Sequence, residues 1–304
     1  MSSAESYEIL PATREGRMPF SDGETWYRIT GDLDSGVTPL VIAHGGPGAT
    51  HQYLLSLTAL AAGRPVIHYD QLGCGNSTHL PDADPSYWTV ELFLDELDNL
   101  LDHLGIADDY HLLGQSWGGM LSAEHAVRRP AGLRRLVISN SPASMPLWLE
   151  AAASLRAGLP AEVEETLREH EEADTTNSPE YAAAMKVFYD RHVCRVVPNP
   201  PEVAAAFASI EEDPTVYHTM NGPSEFHVVG SLMDWTIVDR LPRIAVPTLV
   251  VSGAYDEAQP VCVSPYAELI PDARWEVFAE SSHLPNVEEP ERYAEVVESF
   301  LRGG

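Results

Sequence analysis

The sequence predicts a protein of the α/β class, with a mostly parallel β-sheet covered by helices on both faces and a helical segment inserted late in the chain. Short apolar runs typical of buried parallel strands alternate with segments of helical periodicity. The alternation stops near residue 141 and resumes near residue 242, and the segment between is rich in Ala and Glu at helical spacing. We therefore predict a core domain of residues 1–140 and 242–304 and a helical cap domain of residues 141–241, which a chain of 304 residues can accommodate.

The individual elements are predicted from local patterns in chain order. Residues 24–29 alternate between apolar and polar side chains, which is typical of an antiparallel strand. Helical spacing predicts a helix over residues 90–104, ended by Gly105, and an amphipathic helix over about 291–301. A continuous apolar run predicts a buried strand at residues 40–43, and mostly apolar segments predict further strands at residues 65–69, 110–113, 133–138, 248–251 and 275–278.

The Gly-Gln-Ser-Trp-Gly sequence of residues 114–118 stands between a predicted strand and a helix-compatible run. Strand, Gly-x-Ser-x-Gly and helix in this order form the pattern of a nucleophile elbow. The turn is sharp, so side chains in place of the glycines would strike the neighbouring strand and helix. The pattern predicts that the hydroxyl of Ser116 stands above the end of the sheet, at a helix N-terminus that favours negative charge.

A serine nucleophile needs a general base and a carboxylate that orients the base. Asp256 follows the predicted strand 248–251, and His283 follows the predicted strand 275–278. Alone, each is explained equally well as a turn aspartate or a surface histidine, since the chain has 12 histidines. Both occur in the order Ser, Asp, His and at strand ends, so we predict that Ser116, Asp256 and His283 form a catalytic triad.

A glycine-rich turn follows the predicted strand 40–43, with the sequence His-Gly-Gly-Pro-Gly at residues 44–48. The tetrahedral intermediate of acyl transfer carries an oxyanion that needs preorganised N–H donors. The residue after the nucleophile, Trp117, offers one backbone N–H, and this turn offers the second. We predict an oxyanion hole formed by Trp117 and Gly46, with Gly45 as the alternative to Gly46.

Three motifs together resemble the proline iminopeptidases, a branch of the α/β-hydrolases. They are residues 44–48, residues 70–77 (Asp-Gln-Leu-Gly-Cys-Gly-Asn-Ser) and residues 114–119. The resemblance covers about residues 15–301 and extends to the tricorn-interacting aminopeptidase and to L-amino-acid and L-prolinamide amidases. It implies an α/β-hydrolase fold with a helical cap, and removal of an unblocked N-terminal residue, often proline, from peptides or amides.

The resemblance also implies two substrate-binding glutamates. Residues 221–226 are similar to the family segment whose glutamate binds the substrate amino group, which places that role on Glu225, and Glu257 matches the second such glutamate. Two carboxylates in a closed pocket would grip an ammonium by charge-assisted hydrogen bonds. Without the resemblance, each would be taken for a solvated glutamate of an acidic protein. Candidates for the apolar pocket wall, each better explained by ordinary packing, are Trp148, Phe207 and Trp235.

Composition bears on partners and location. A net charge of −28, from 18 Lys and Arg against 46 Asp and Glu, disfavours nucleic acid and anionic membranes as partners. No apolar run approaches the roughly 18 residues of a membrane span, and residues 1–5 carry no secretory signal pattern. Cys74, Cys194 and Cys262 are odd in number and far apart, which favours a reduced, cytoplasmic setting over disulfides or a metal cluster. We expect no metal or organic cofactor, and the oligomeric state stays open.

Two other functions remain compatible with these residues. The same triad would serve an amidase or esterase that acts on a small-molecule or secondary-metabolite amide or ester. A hydrolase scaffold can also act as a non-catalytic small-molecule receptor, because fold alone does not determine function. A complete triad with an oxyanion turn argues against the receptor, which would not need all of these parts.

Overall fold

The computed structural model describes residues 7–303, so the prediction that residues 1–5 lack a secretory signal lies outside the described residues. One eight-stranded sheet has the strand order β1-β2-β4-β3-β5-β6-β7-β8. β1, β2 and β4 pair antiparallel, and all other neighbours pair parallel. The strands are β1 Arg14–Phe20, β2 Gly23–Thr30, β3 Leu40–Ala43, β4 Val66–Asp70, β5 Tyr110–Gln115, β6 Leu133–Ser139, β7 Thr248–Gly253 and β8 Ala273–Phe278.

The predicted fold is confirmed, and ten α-helices accompany the sheet within the described residues. Gly105 ends the first helix in the left-handed conformation, with φ of 70°, as its position predicts. The helices are α1 Val90–Leu104, α2 Trp117–Val127, α3 Met145–Arg156, α4 Ala161–Glu172, α5 Pro179–His192, α6 Pro201–Glu212, α7 Thr215–Met220, α8 Pro260–Leu269, α9 Pro285–Glu288 and α10 Pro290–Leu301.

β3 is apolar throughout because both faces of the sheet are covered there. In β3, Val41 and Ala43 face a core that includes side chains of α1 and α2. Leu40 and Ile42 face the opposite core, which includes side chains of the 3₁₀ segment His51–Ala62 and of α10. Alternate side chains of one strand therefore enter two different cores, which explains the continuous apolar run.

Several elements were not predicted from the sequence, among them β1, the segment His51–Ala62 and α8. β1 is an edge strand with charged and exposed side chains, so it lacks a clear apolar alternation. The segment His51–Ala62 is a 3₁₀ helix of 12 residues, which is unusually long for this type of helix. α8 contains Pro265 inside the helix and Pro260 in its first turn, and prolines are ordinarily signals of a helix boundary.

The segment between β6 and β7 carries α3 to α7, which is the helical insertion that the sequence predicts. Part of it forms a separate apolar cluster that includes Leu167, Tyr181 and Phe188. α3 instead contributes Trp148 and Ala151 to the core beneath the sheet. The boundaries of the cap at residues 141 and 241 stay a prediction.

None of the described helices combines the length and apolarity needed to cross a membrane. The three cysteines are free and buried. In the part of the chain that the structure describes, no group of three or more His, Cys, Asp or Glu side chains could hold a metal ion.

Candidate active site

Ser116 stands at the end of β5, one residue before α2 begins. Its backbone has φ of 55° and ψ of −124°, a region that non-glycine residues rarely adopt. The backbone is held there because the Ser116 N–H donates to the carbonyl of Ser139 at 2.9 Å, while the N–H of Gly119 donates to the Ser116 carbonyl at 2.8 Å. This strained turn has the geometry predicted for a nucleophile elbow.

The glycines around Ser116 are required by close backbone approach. A Cβ atom at Gly114 would lie 1.9 Å from the carbonyl oxygen of Gly118. A Cβ atom at Gly118 would lie 2.0 Å from the carbonyl oxygen of Ala43 in β3. Neither obstacle is a flexible side chain, so these contacts cannot be relieved by a change of rotamer.

Replacement of Gly118 with alanine is expected to destabilise the protein by about 3 kcal/mol or more, the upper range for overpacking, because backbone atoms would have to move. The measurement is the free energy of unfolding in urea. Gly158→Ala is the matched control, since a Cβ atom there comes no closer than 3.3 Å to the Leu155 carbonyl. Equal unfolding midpoints for the two variants would contradict the steric explanation.

The structure brings Asp256 and His283 together. Asp256 lies in the loop after β7 and His283 in the loop after β8, and Nδ1 of His283 is 2.7 Å from Oδ1 of Asp256. Because a carboxylate only accepts, Nδ1 is the donor, which leaves Nε2 as the ring nitrogen that can accept a proton. Ser116 and His283 line one cavity.

Asp256 is fully buried and its carboxylate is held by several donors. Oδ1 also accepts from the backbone N–H of Ala258 at 2.8 Å. Oδ2 accepts from the side-chain amide of Asn140 at 2.6 Å and from the backbone N–H of Gly253 at 3.4 Å. Three donors therefore fix the orientation of the Asp256 carboxylate, and the carboxylate in turn orients the His283 ring. Asn140 was not predicted, since nothing in its local sequence indicates this contact.

A chain of hydrogen bonds joins the predicted oxyanion turn to His283. The amide of Gln115 donates to the His283 carbonyl at 3.0 Å and accepts from the Tyr53 hydroxyl at 2.6 Å. The Tyr53 hydroxyl accepts from the backbone N–H of Gly45 at 2.7 Å. Since this bond engages the N–H of Gly45, Gly46 is the better candidate for the oxyanion donor. The role of Gln115 was not predicted from the sequence. The place of Gln115 inside the elbow motif is the signal that could have indicated its contacts with Tyr53 and His283.

The predicted oxyanion donors, Gly46 and Trp117, both line a further cavity at Ser116, separate from the one that His283 lines. Gly46 has φ of 110°, which only glycine adopts without strain. The indole N–H of Trp117 donates to the side chain of Gln71 at 2.9 Å, and the amide of Gln71 donates to the carbonyl of His44 at 2.9 Å. Gln71, in the loop after β4, thus holds both Trp117, which follows the nucleophile, and His44, which begins the glycine-rich turn.

Glu225 reaches the site from the cap and is held along its length. The Tyr217 hydroxyl donates to its Oε1 at 2.7 Å. Its backbone N–H donates to the Tyr189 hydroxyl at 3.3 Å, and its carbonyl accepts from the indole of Trp148 at 2.7 Å. Burial raises the pKa of the Glu225 carboxyl, and the Tyr217 hydrogen bond partly opposes this.

Glu257 is almost completely buried, and neither of its carboxylate oxygens has a hydrogen-bond partner. Its Oε1 lies 3.7 Å from Nε2 of His283. Burial raises the pKa of the Glu257 carboxyl well above its ordinary value, and the neighbouring charges of Glu225 and Asp256 add to this effect. The two predicted glutamates therefore lie at one site beside His283, close enough to influence each other.

Two cavities meet at Ser116. The larger includes His283 and is otherwise mostly apolar, with walls that include Ala49, Val193, Phe207, Ile210 and Leu284. The smaller has walls that include Met120, Met145, Trp148 and Leu232. Glu225 borders both cavities. Of the three aromatic candidates, Trp148 and Phe207 line a cavity, whereas Trp235 donates its indole N–H to Glu124 at 2.9 Å.

Known proteins match this chain over nearly its whole length. The alpha/beta hydrolase fold family matches residues 38–290. A proline iminopeptidase of Heyndrickxia coagulans is 38% identical over 270 residues, covering 89% of this chain and 92% of the relative. The chain belongs to the proline iminopeptidase family of α/β-hydrolases, and it is an enzyme. A proline iminopeptidase of Clostridium botulinum is 37% identical over 292 residues, covering 94% of this chain and 97% of the relative.

Solved structures agree with this family assignment. The crystal structure of VinJ shares 59% sequence identity with a TM-score of 0.95, covering 96% of this chain and 99% of that chain. The crystal structure of a Mycobacterium smegmatis proline iminopeptidase shares 53% identity with a TM-score of 0.88, covering 95% and 98%. The resemblance inferred from the three motifs is therefore confirmed.

Proposed function

We propose that the protein is a serine aminopeptidase that releases an unblocked N-terminal residue, proline or another small or apolar residue, from peptides or amides through an acyl-enzyme. The observation that carries this proposal is the position of Glu225 and Glu257 beside the Asp256–His283 pair. An ammonium group would supply the hydrogen bonds that the Glu257 carboxylate lacks. The names of the relatives agree with this substrate class.

Substrate binding begins with the amino terminus in this proposal. The ammonium docks between Glu225 and Glu257, which fixes the distance from the amine to the scissile carbonyl. The carbonyl oxygen then accepts hydrogen bonds from the backbone N–H groups of Trp117 and Gly46. These donors are held in place before the reaction, so they stabilise the oxyanion at no cost of reorganisation.

The chemical steps are assigned to Ser116, His283 and Asp256. Nε2 of His283 takes the proton of the Ser116 hydroxyl as its oxygen attacks the carbonyl carbon. Asp256 orients the ring and stabilises the imidazolium. His283 then gives the proton to the leaving amine, which departs and leaves the acyl-enzyme. Water, activated by the same histidine, releases the amino acid and restores Ser116.

The two cavities suggest where each half of the substrate lies. The leaving nitrogen must be within reach of His283, so we assign the larger cavity to the leaving group. The smaller cavity then takes the side chain of the released residue. Its Met120, Met145 and Trp148 walls suit a small or apolar side chain such as that of proline.

A panel of aminoacyl substrates tests this function. We expect hydrolysis of prolinamide, of other small apolar aminoacyl amides and of dipeptides with the same first residue, and little hydrolysis of their N-acetylated forms. Rates are measured as kcat/KM by release of the free amino acid. Equal rates on free and acetylated amines would contradict the ammonium site and favour the amidase or esterase alternative.

The receptor alternative and the location need separate tests. Ser116 of a hydrolase is labelled by a serine-directed fluorophosphonate, whereas folded protein that resists labelling would favour a receptor. A cytoplasmic location remains a prediction that fractionation of cells producing the protein would test.

A further inference from the structure

The carbonyl of Gly45 is held by two hydrogen bonds on the side of the glycine-rich turn that carries the His44 ring. Nδ1 of His44 lies 2.9 Å from this oxygen, and the backbone N–H of Ala49 donates to it at 3.3 Å. The peptide bond from Gly45 to Gly46 is not among the cis bonds of the described residues, so it is trans. In a trans peptide the C=O and the following N–H point in opposite directions. The two contacts on the carbonyl therefore turn the Gly46 N–H away from the His44 ring.

The two predicted oxyanion donors are both available to a substrate. Among the hydrogen bonds of residues 7–303, none has the backbone N–H of Gly46 as its donor, and Gly46 borders both cavities at Ser116. The N–H of Trp117 has no acceptor within its own helix, because Trp117 is the first residue of α2. The directions of these two N–H groups therefore decide whether an oxyanion above Ser116 is stabilised.

The His44 ring is held in a single tautomer. The backbone N–H of Gln71 donates to its Nε2 at 3.0 Å, so Nε2 is an acceptor and carries no proton. Burial lowers the pKa of His44 to about 4, which keeps the ring neutral near pH 7 with its one proton on Nδ1. Nδ1–H is therefore the donor to the Gly45 carbonyl, and the N–H of Gln71 fixes that arrangement.

The Gln71 side chain connects the two donors directly. Its amide donates to the His44 carbonyl at 2.9 Å and accepts from the Trp117 indole N–H at 2.9 Å. Gln71 and His44 are both fully buried, and neither lines a cavity at Ser116. One buried amide thus sets the distance between the residue that follows the nucleophile and the first residue of the glycine-rich turn.

The backbone on either side of Gln71 is anchored by buried carboxylates. The carboxylate of Asp70 accepts from the backbone N–H groups of His51 at 2.8 Å and Asn76 at 2.9 Å. The backbone N–H of Leu72 donates to the Glu96 carboxylate at 2.8 Å. Buried hydrogen bonds to carboxylates are strong and costly to break. The amide of Gln71 is therefore presented from a rigid support.

We propose that Gln71 and His44 are positioning residues of the oxyanion hole. Gln71 sets the spacing between Trp117 and the glycine-rich turn, and the His44 ring sets the direction of the Gly46 N–H. The oxyanion exists only in the transition state and the tetrahedral intermediate, so loss of either residue lowers kcat and leaves substrate binding nearly unchanged. The inference rests on the proposed function for the nucleophile Ser116, but not for the kind of substrate.

Gln71→Met removes both side-chain contacts with a side chain of similar length. We expect kcat on prolinamide to fall about 10²-fold, as for a misplaced catalytic group or a lost oxyanion donor, with KM changed by less than about threefold. Gln52→Met, at a partly exposed position, is the control and should keep the wild-type kcat. A kcat of Gln71→Met within about threefold of the wild type would overturn the proposal.

Two inhibitors distinguish positioning from a general loss of structure. In pyrrolidine-2-boronic acid, the Ser116 oxygen adds to boron while its proton passes to His283, and no group leaves; the adduct carries a negative charge where the oxyanion forms. Pyrrolidine offers the ring and the amine alone. In Gln71→Met we expect the Ki of the boronic acid to rise about 10²-fold, in step with kcat, and the Ki of pyrrolidine to stay unchanged. Equal weakening of both inhibitors would contradict the proposal.

His44→Asn and His44→Gln separate the roles of the two ring nitrogens. An asparagine amide reaches the position of Nδ1 and can donate to the Gly45 carbonyl. A glutamine amide oxygen reaches the position of Nε2, where it accepts from the Gln71 N–H but gives Gly45 no donor. We expect His44→Asn to keep a kcat about tenfold higher than that of His44→Gln. An equal or reversed order would contradict the role of the ring in turning the peptide.

A measurement on the wild type keeps the proposal testable if the variants fail to fold. In a crystal structure of the boronic acid adduct, we expect the Gly45 carbonyl against Nδ1 of His44, and one boronate oxygen within about 3 Å of the backbone nitrogens of Gly46 and Trp117. A Gly45 carbonyl turned into the cavity would overturn the proposal.

Failure of the proposed function gives a different result. A wild-type enzyme that is labelled by a fluorophosphonate, but neither hydrolyses prolinamide nor binds pyrrolidine, is a serine hydrolase of another substrate class. The same variants are then compared on p-nitrophenyl acetate, whose hydrolysis also passes through an oxyanion. We expect the same loss of about 10²-fold for Gln71→Met on that ester, and an unchanged rate would overturn the positioning role.

Discussion

Replacement of Ser116 with alanine is expected to lower kcat on an aminoacyl amide by about 10⁶-fold, as loss of the nucleophile does in other triads. The hydroxyl is the atom that forms the acyl-enzyme, and neither Asp256 nor His283 can take its place. The residual rate would come from the oxyanion donors and substrate binding. The measurement is single-turnover hydrolysis at saturating substrate.

The control for this variant is an exposed serine outside the site. Ser154→Ala should keep the activity of the wild type, and both variants should unfold at the same temperature as the wild type. Serine and alanine are equally strained in the backbone conformation at position 116, so the substitution should have little effect on folding. Retention of a tenth or more of wild-type turnover by Ser116→Ala would exclude Ser116 as the nucleophile.

Loss of the ammonium contact is expected to have the second-largest effect. Removing one partner of a buried charge pair costs about 3–5 kcal/mol, which corresponds to roughly 10²–10⁴-fold in kcat/KM. We therefore expect N-acetylation of the substrate to lower kcat/KM by about this factor in the wild-type enzyme. The two carboxyls would be left buried with no cation to pair with.

The carboxylates themselves provide the matching variants. Glu225→Gln and Glu257→Gln should each lower kcat/KM on a substrate with a free amine, and each should reduce the difference between free and acetylated substrates. Glu211→Gln, on the exposed face of α6, should leave both rates unchanged. If the variants with Gln at 225 and 257 discriminate against acetylated substrates as strongly as the wild type, selectivity for the amine arises elsewhere.

Local sequence patterns predict most of the sheet because burial on both faces leaves segments that are mostly apolar. β3, at residues 40–43, was predicted with the bounds that the structure has. β1 was missed because an exposed edge strand can carry charged residues without cost. α8 was missed because a proline inside a helix resembles a boundary when only the sequence is available.

The positions of Ser116, Asp256 and His283 were predictable because each lies at the end of a strand of one sheet or in the loop that follows it, and the carboxyl ends of parallel strands meet at one edge. The supporting contacts were not. Gln115 contacts Tyr53 and the His283 carbonyl, and Asn140 contacts Asp256. The two residues of each contact lie more than 60 positions apart in the sequence. Hydrogen bonds of this kind leave no periodic trace in a sequence.

The sequence by itself determined the α/β class, the elbow at Ser116 and the family, because strand burial, sharp glycine turns and motif order are local properties. Only the tertiary structure decided that the N–H of Gly45 is engaged by Tyr53, and that Glu257 lies unpaired against Nε2 of His283. The physical reason is that burial and the distance between side chains from different loops depend on how the whole chain packs. Those two quantities determine which charged groups of the site lie close together and away from water.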